Sequence, residues 1–187
     1  ALLPSRGKLA FVSGGGDTAD IAYSSVRTEG GSPFWNEAEQ RVDFAGYCSR
    51  NDFSGIDVCV VLLGWNSTGT EQAAYRTSME TFLDALHADY PDAKVILLGL
   101  QTPSRDGLGE NYGSSKGFSY WNLLKKMNAL NALTRSVAED EKYRDFTLYA
   151  DVASQFDAEY GYPAGEVAPN ARSSAVYMRQ NNGVHPS

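Results

Sequence analysis

The chain has 187 residues, 42% hydrophobic and 21% charged, which suits one globular domain, residues 1–187, with a sizeable core. Its formal net charge of −7 argues against nucleic acid, because phosphate recognition needs clustered Lys and Arg. No apolar run approaches the roughly 20 residues that span a membrane, and Ala1-Leu2-Leu3-Pro4-Ser5-Arg6 lacks the basic and apolar regions of a signal peptide, although a processed N-terminus reads the same way.

Lys8-Leu9-Ala10-Phe11-Val12 predicts a short strand that runs into the loop Ser13-Gly14-Gly15-Gly16-Asp17. Residues 18–55 carry little periodicity and predict long loops with one short helix near Asp43 to Tyr47. Val58-Cys59-Val60-Val61-Leu62-Leu63 is a continuous, β-branched apolar run ended by Gly64, which predicts a strand buried on both faces. From Thr70 to Tyr90, the positions Ala74, Met79, Phe82, Leu83 and Leu86 recur at helical spacing, and Pro91 ends that helix.

Lys94-Val95-Ile96-Leu97-Leu98-Gly99-Leu100 predicts a second buried strand, followed by a Gly-rich polar loop over 101–118. A long helix is expected from Ser119 to Glu141, with Leu123, Leu124, Met127, Leu130 and Leu133 on its apolar face. Phe146-Thr147-Leu148-Tyr149-Ala150 predicts a third core strand, and residues 152–187 read as irregular. Strands alternating with helices in this way are the signature of a parallel sheet with crossover helices.

Cys59 falls in the first clear strand and reads as a buried free thiol, and with Cys48 it forms neither a disulfide framework nor a metal pattern. No metal-ligand cluster, phosphate loop or dinucleotide fingerprint is present, so no cofactor is expected. His87 reads as a solvated histidine at a helix end.

In open parallel sheets, ligands bind beyond the carboxyl ends of the strands. Gly64-Trp65-Asn66-Ser67, Gln101-Thr102-Pro103 and Asp151 fall at such ends. His185, in a Gly-Val-His-Pro turn, is able to reach the same edge and has the side chain best suited to move protons near neutral pH. Asn66 has two readings. Its amide can stabilise a developing oxyanion, or it can cap a turn. Asn66-Ser67-Thr68 is also a formal glycosylation sequon.

Several blocks together resemble the SGNH (GDSL-type) hydrolases, in the flavour found in bacterial and phage-associated members. Gly64-Trp65-Asn66-Ser67 is similar to the family's Gly-x-Asn-Asp block, and Gly183-Val184-His185-Pro186-Ser187 to its terminal Asp-x-x-His-Pro block. Glu29-Gly30-Gly31, followed by Ser32 to Asn36 and Asp43 to Tyr47, is similar to the glycine block and its downstream segment. The resemblance runs in order from about residue 28 to the end.

It implies a three-layer α/β/α sandwich with a parallel, flavodoxin-like sheet. It also implies ester hydrolysis through an acyl-serine intermediate, often removal of acetyl groups from carbohydrate. Carried over, His185 is the base, Asn66 an oxyanion donor, and Gly31 or Gly30 a backbone donor. The substrate implied is an acetylated glycan or another small ester. An extracellular, cell-surface or virion setting fits that substrate better than a cytoplasmic one.

Three departures qualify the resemblance. The family's Gly-Asp-Ser nucleophile block has only Gly16-Asp17-Thr18 as a counterpart, too close to Gly30 for a helix and a strand between them. Lys8 to Gly16 then corresponds to the family's second strand and loop. The first strand with its serine, and the closing helix after the histidine block, are expected outside this sequence, in a complementary segment or chain. Asn182 stands where the family has Asp, and Asn cannot stabilise an imidazolium as a carboxylate does. Asp151, Asp157 or a backbone carbonyl is left to orient His185. Ser67 for Asp is benign. The other reading is a non-catalytic carbohydrate-binding or structural module, for example in a phage tail, that keeps the fold without its triad.

Overall fold

The computed structural model describes residues 33–67, 71–103, 119–155, 166–167 and 177–178. The strand expected at Lys8 to Val12 lies outside them. Within 33–57 the chain is more ordered than its weak periodicity predicts. β1 (Trp35–Asn36) and β2 (Arg41–Val42) pair antiparallel, and α1 (Phe44–Arg50) follows at the expected place.

Two carboxylates nucleate α1, whose first amides have no intrahelical partner. Asp43 is the N-cap and accepts the Gly46 N–H at 2.7 Å. Asp89, from the far end of the next helix, accepts the Phe44 and Ala45 N–H groups at 2.8 and 3.0 Å. Arg41 bridges the pair, 3.2 Å from Asp43 and 3.3 Å from Asp89. Behind them Phe34, Phe44 and Phe82 make tilted and edge-on contacts, with centroids 4.7 to 6.1 Å apart.

β3 (Val58–Val61), β4 (Lys94–Leu98) and β5 (Thr147–Ala150) form a parallel sheet in the order β3-β4-β5. Its crossovers are α2 (Gln72–Asp89) and α3 (Tyr120–Ala138). α2 ends with the Tyr90 N–H bonded to the Leu86 carbonyl at 2.8 Å, immediately before Pro91. α3 starts on Ser119, whose hydroxyl accepts the Asn122 N–H at 3.3 Å. The α/β class with a parallel sheet and crossover helices is therefore present as expected.

Both helices pack against one face of the sheet and against each other, burying Met79, Leu83 and Leu86 of α2 with Leu123, Met127 and Leu130 of α3 over Val61, Val95 and Leu97. One position in α2 differs from expectation. Ala74 is exposed and its neighbour Tyr75 takes the core place, because a 3.6-residue stripe that includes Met79 and Leu86 passes through 75.

The larger difference concerns β3, which is not buried on both faces. Val58 and Val60 are 56% and 58% exposed, and Leu148 of β5 is 61% exposed. Val60, Ile96 and Leu148 are register partners, so they form one row across the sheet. Side chains alternate between faces along a strand. With both crossover helices on the opposite side, this row has no described layer over it. Two layers, rather than three, are present among the described residues. Beyond β5 the chain is not wholly irregular. A 3-10 turn spans Ala153–Gln155, and β6 (Glu166–Val167) pairs antiparallel with β7 (Tyr177–Met178).

Candidate functional site

The carboxyl ends of β3, β4 and β5 are held from below by a layer of polar side chains on the two helices. At the end of β3, Gly64 has φ +132°, a region in which a side chain is strained. A side chain there would also come within 3.0 Å of the Tyr75 hydroxyl and 3.3 Å of Leu100 Cδ1. A single 3-10 turn, Trp65–Ser67, follows at once. It is closed by the Ser67 N–H donating to the Gly64 carbonyl at 2.9 Å, and Ser67 is fully buried. The Tyr75 hydroxyl lies 3.0 Å from the Leu63 carbonyl, the last peptide before Gly64, and 3.3 Å from Thr134 Oγ1. Burial raises the Tyr75 pKa, which keeps its proton on the oxygen.

At the end of β4, Asn131 of α3 bonds both backbone groups of Leu100. The Tyr149 hydroxyl occupies the space that a side chain on Gly99 would need. Gln101 and Pro103 beyond it are buried. At the end of β5, the Asp151 carboxylate pairs with Arg135 at 3.5 Å and accepts the Ser154 N–H at 3.3 Å. Arg135 also lies over the Tyr149 ring, 4.9 Å from its centroid.

Of the residues singled out from the sequence, Asn66 is the middle residue of the turn after β3. Gly30, Gly31, Asn182 and His185 lie outside the described residues, as does Asp157. Asp151 is at the strand end, as expected, and is already engaged by Arg135. His87 is exposed in the last turn of α2 and stacks on Phe146 with centroids 4.3 Å apart, at the opposite end of the sheet.

Cys59 is half-buried, and burial pushes its thiol up to about 11, so it is no nucleophile near neutral pH. No group of three or more metal-ligating side chains occurs among the described residues. No described helix is long and apolar enough to cross a membrane. A cleft of about 330 Å³ bordered by Arg135, Glu139, Arg144 and Tyr149 lies along β5, at the other edge of the sheet from the Trp65 turn.

Two features of this edge escaped sequence reasoning. One is the polar layer of Tyr75, Asn131, Thr134 and Tyr149. A signal for it exists, since Asn131 and Thr134 each sit four residues after a core position, Met127 and Leu130, and so fall on the buried stripe. The other is Trp65. Its Nε1 is the one buried side-chain polar atom without a hydrogen-bond partner among the described residues. Such a group costs roughly 1–3 kcal/mol, and it stands beside Asn66 at the edge where parallel sheets bind ligands. Comparison with protein-family models, with curated proteins and with solved structures finds no match.

Proposed function

We propose that this chain is part of an SGNH-type serine esterase that removes acyl groups, acetyl in particular, from carbohydrate. The observation that carries the reading is the position of Asn66 in the tight turn that starts at Gly64, directly beyond the carboxyl end of β3. In open parallel sheets the ligand crevice lies at such a strand end, and an Asn amide is a donor type that stabilises an oxyanion. In this scheme His185 activates the serine and then water. Gly30 or Gly31 adds a backbone donor. The serine comes from outside the described residues.

The finer fold reading is a three-layer, flavodoxin-like sandwich. Crossovers that step from β3 to β5 set their helices on one face. In a doubly wound sheet, winding the other way from a switch point sets helices on the opposite face. The row Val60, Ile96 and Leu148, exposed at Val60 and Leu148 and half-buried at Ile96, together with the β3 edge, which has no partner strand among the described residues, supports such an arrangement. It puts the switch point beside Gly64 to Ser67.

A second reading, a carbohydrate-binding module without turnover, draws on Asp151. It is paired with Arg135, and Asn182 stands in place of an acid, so the carboxylate at the end of β5 is already engaged.

Hydrolysis of p-nitrophenyl acetate and release of acetate from an acetylated oligosaccharide by the native gene product decide between the two. Turnover that falls about 100- to 1000-fold in Asn66→Ala, and is lost in His185→Ala, supports the esterase. Turnover unchanged by His185→Ala sinks it. Glycan binding without any hydrolysis supports the module.

A further inference from the structure

We infer that Tyr75 and Asn131 are positioning residues that set the turn carrying Asn66 and the wall facing it. The inference rests on the esterase reading for its effect on turnover, and on geometry for everything else. The last peptides of a parallel strand lose their ladder partners, so the strand end is free to splay unless a side chain holds it. Here the two ends that flank the crevice are each held, and from different helices.

Tyr75 reaches from α2 to the Leu63 carbonyl at 3.0 Å, and its ring packs under Gly64, with Cε2 3.4 Å from where a side chain would start. Thr134 of α3 braces the same hydroxyl at 3.3 Å and is itself tied to the Leu130 carbonyl at 2.9 Å. Asn131, one turn earlier on α3, takes the Leu100 N–H at 2.7 Å and gives to its carbonyl at 3.0 Å. Leu100 then touches the space above Gly64, its Cδ1 3.3 Å from the position of the absent side chain.

Gly64, Tyr75 and Leu100 therefore meet at one point, and the Ser67 N–H fastens the Trp65–Ser67 turn to the Gly64 carbonyl at 2.9 Å. A continuous run of contacts leads from α3 through Tyr75 to the turn. All of Tyr75, Asn131 and Thr134 are buried, so water does not compete for these bonds. An oxyanion donor must be held to within about 0.5 Å of its working position, and a displacement of about 1 Å costs on the order of 100-fold in rate.

The test compares Tyr75→Phe and Asn131→Ser with Thr77→Ala, a control on the exposed side of α2 whose hydroxyl only caps the Ala73 carbonyl. Three readouts are taken on the native gene product: kcat and KM on p-nitrophenyl acetate, the urea midpoint, and the indole N–H signals of Trp35, Trp65 and Trp121 in a ¹H–¹⁵N spectrum. Tyr75→Phe is expected to lower kcat roughly 10- to 100-fold at unchanged KM. It is also expected to move the Trp65 signal while Trp35 and Trp121 stay in place, and Thr77→Ala is expected to change nothing.

A Trp65 signal that stays fixed in both variants overturns the inference, as does a kcat unchanged in Tyr75→Phe. Movement of all three signals together, with a matching loss of stability, also overturns it by assigning the pair a general structural role. A wild-type protein without hydrolysis refutes the esterase reading alone, and the Trp65 signal still decides whether the pair sets the turn.

Discussion

Asn131 does for Leu100 what a neighbouring strand does for its partner. It accepts the backbone N–H at 2.7 Å and returns a donor to the carbonyl at 3.0 Å. One side-chain amide thus satisfies two buried backbone groups just past the end of β4. An unsatisfied buried group costs about 1–3 kcal/mol, so Asn131→Ala is expected to destabilise the fold by about 2–4 kcal/mol. Urea unfolding measures the loss, and hydrogen exchange should show the Leu100 amide opening faster than that of Val95. A change below about 0.5 kcal/mol would mean that water replaces the amide without penalty.

The two faces of the sheet should answer mutation differently. Leu83 is fully buried between α2 and the strands, and Leu83→Ala is expected to cost about 2–5 kcal/mol. Val60 is 58% exposed, and Val60→Thr is expected to stay within about 0.5 kcal/mol. Equal losses at the two sites would show that a layer covers Val60 in solution.

Acid should loosen the α1 corner. The Gly46 N–H, with help from Asn36 and Arg41, holds the Asp43 carboxyl below its ordinary pKa against the opposing effect of burial. A carboxylate with a depressed folded pKa contributes stability above its unfolded value, near 4, and loses it as pH falls through the folded value. Urea midpoints should therefore be flat from about pH 7 to 5 and decline below about pH 4. Asp43→Asn should be less stable at neutral pH and show a shallower acid limb. A variant with the wild-type slope would remove Asp43 from the account.

The thiols should be silent in the native state. With its pKa near 11, Cys59 is about one part in a thousand thiolate at pH 8, and Cys48 is buried. A thiol-disulfide reagent such as Ellman's should find neither cysteine within minutes in buffer and both in denaturant. Rapid reaction in buffer would show that β3 opens on that timescale.

What the sequence made legible follows from how strong each local signal is. Apolar runs and helical stripes bounded by turn or charged residues placed β3, β4, β5 and both long helices to within a few residues, because length and period are hard to counterfeit there. The hairpin at Trp35 to Val42 has strands of two residues each, too short to show a period. The exposed face of β3 was misread because Val58-Cys59-Val60-Val61 is apolar at every position, so nothing in the run distinguishes the covered side from the open one. Tyr75 was missed beside Ala74 because the apolar alanine was counted by type, although the stripe through Met79, Phe82 and Leu86 passes through 75. At the site, the turn at Gly64 to Ser67 was legible from a strand that stops at glycine. Its supports, Asn131 and Thr134, look like helix-surface residues until the stripe they share with Met127 and Leu130 is traced.

The one-sided arrangement of α2 and α3 also sets an order in time. Each crossover joins strands that end up adjacent, so the region from Val58 to Ala150 closes without any strand from elsewhere in the chain coming between them. Each of these parallel pairings still closes over a whole crossover helix, and pairings across such stretches of chain are slow. As the ribosome releases the chain, this dry face can close as soon as β5 emerges. Anything that later settles over Val60, Ile96 and Leu148 then meets a finished platform rather than a partner still folding.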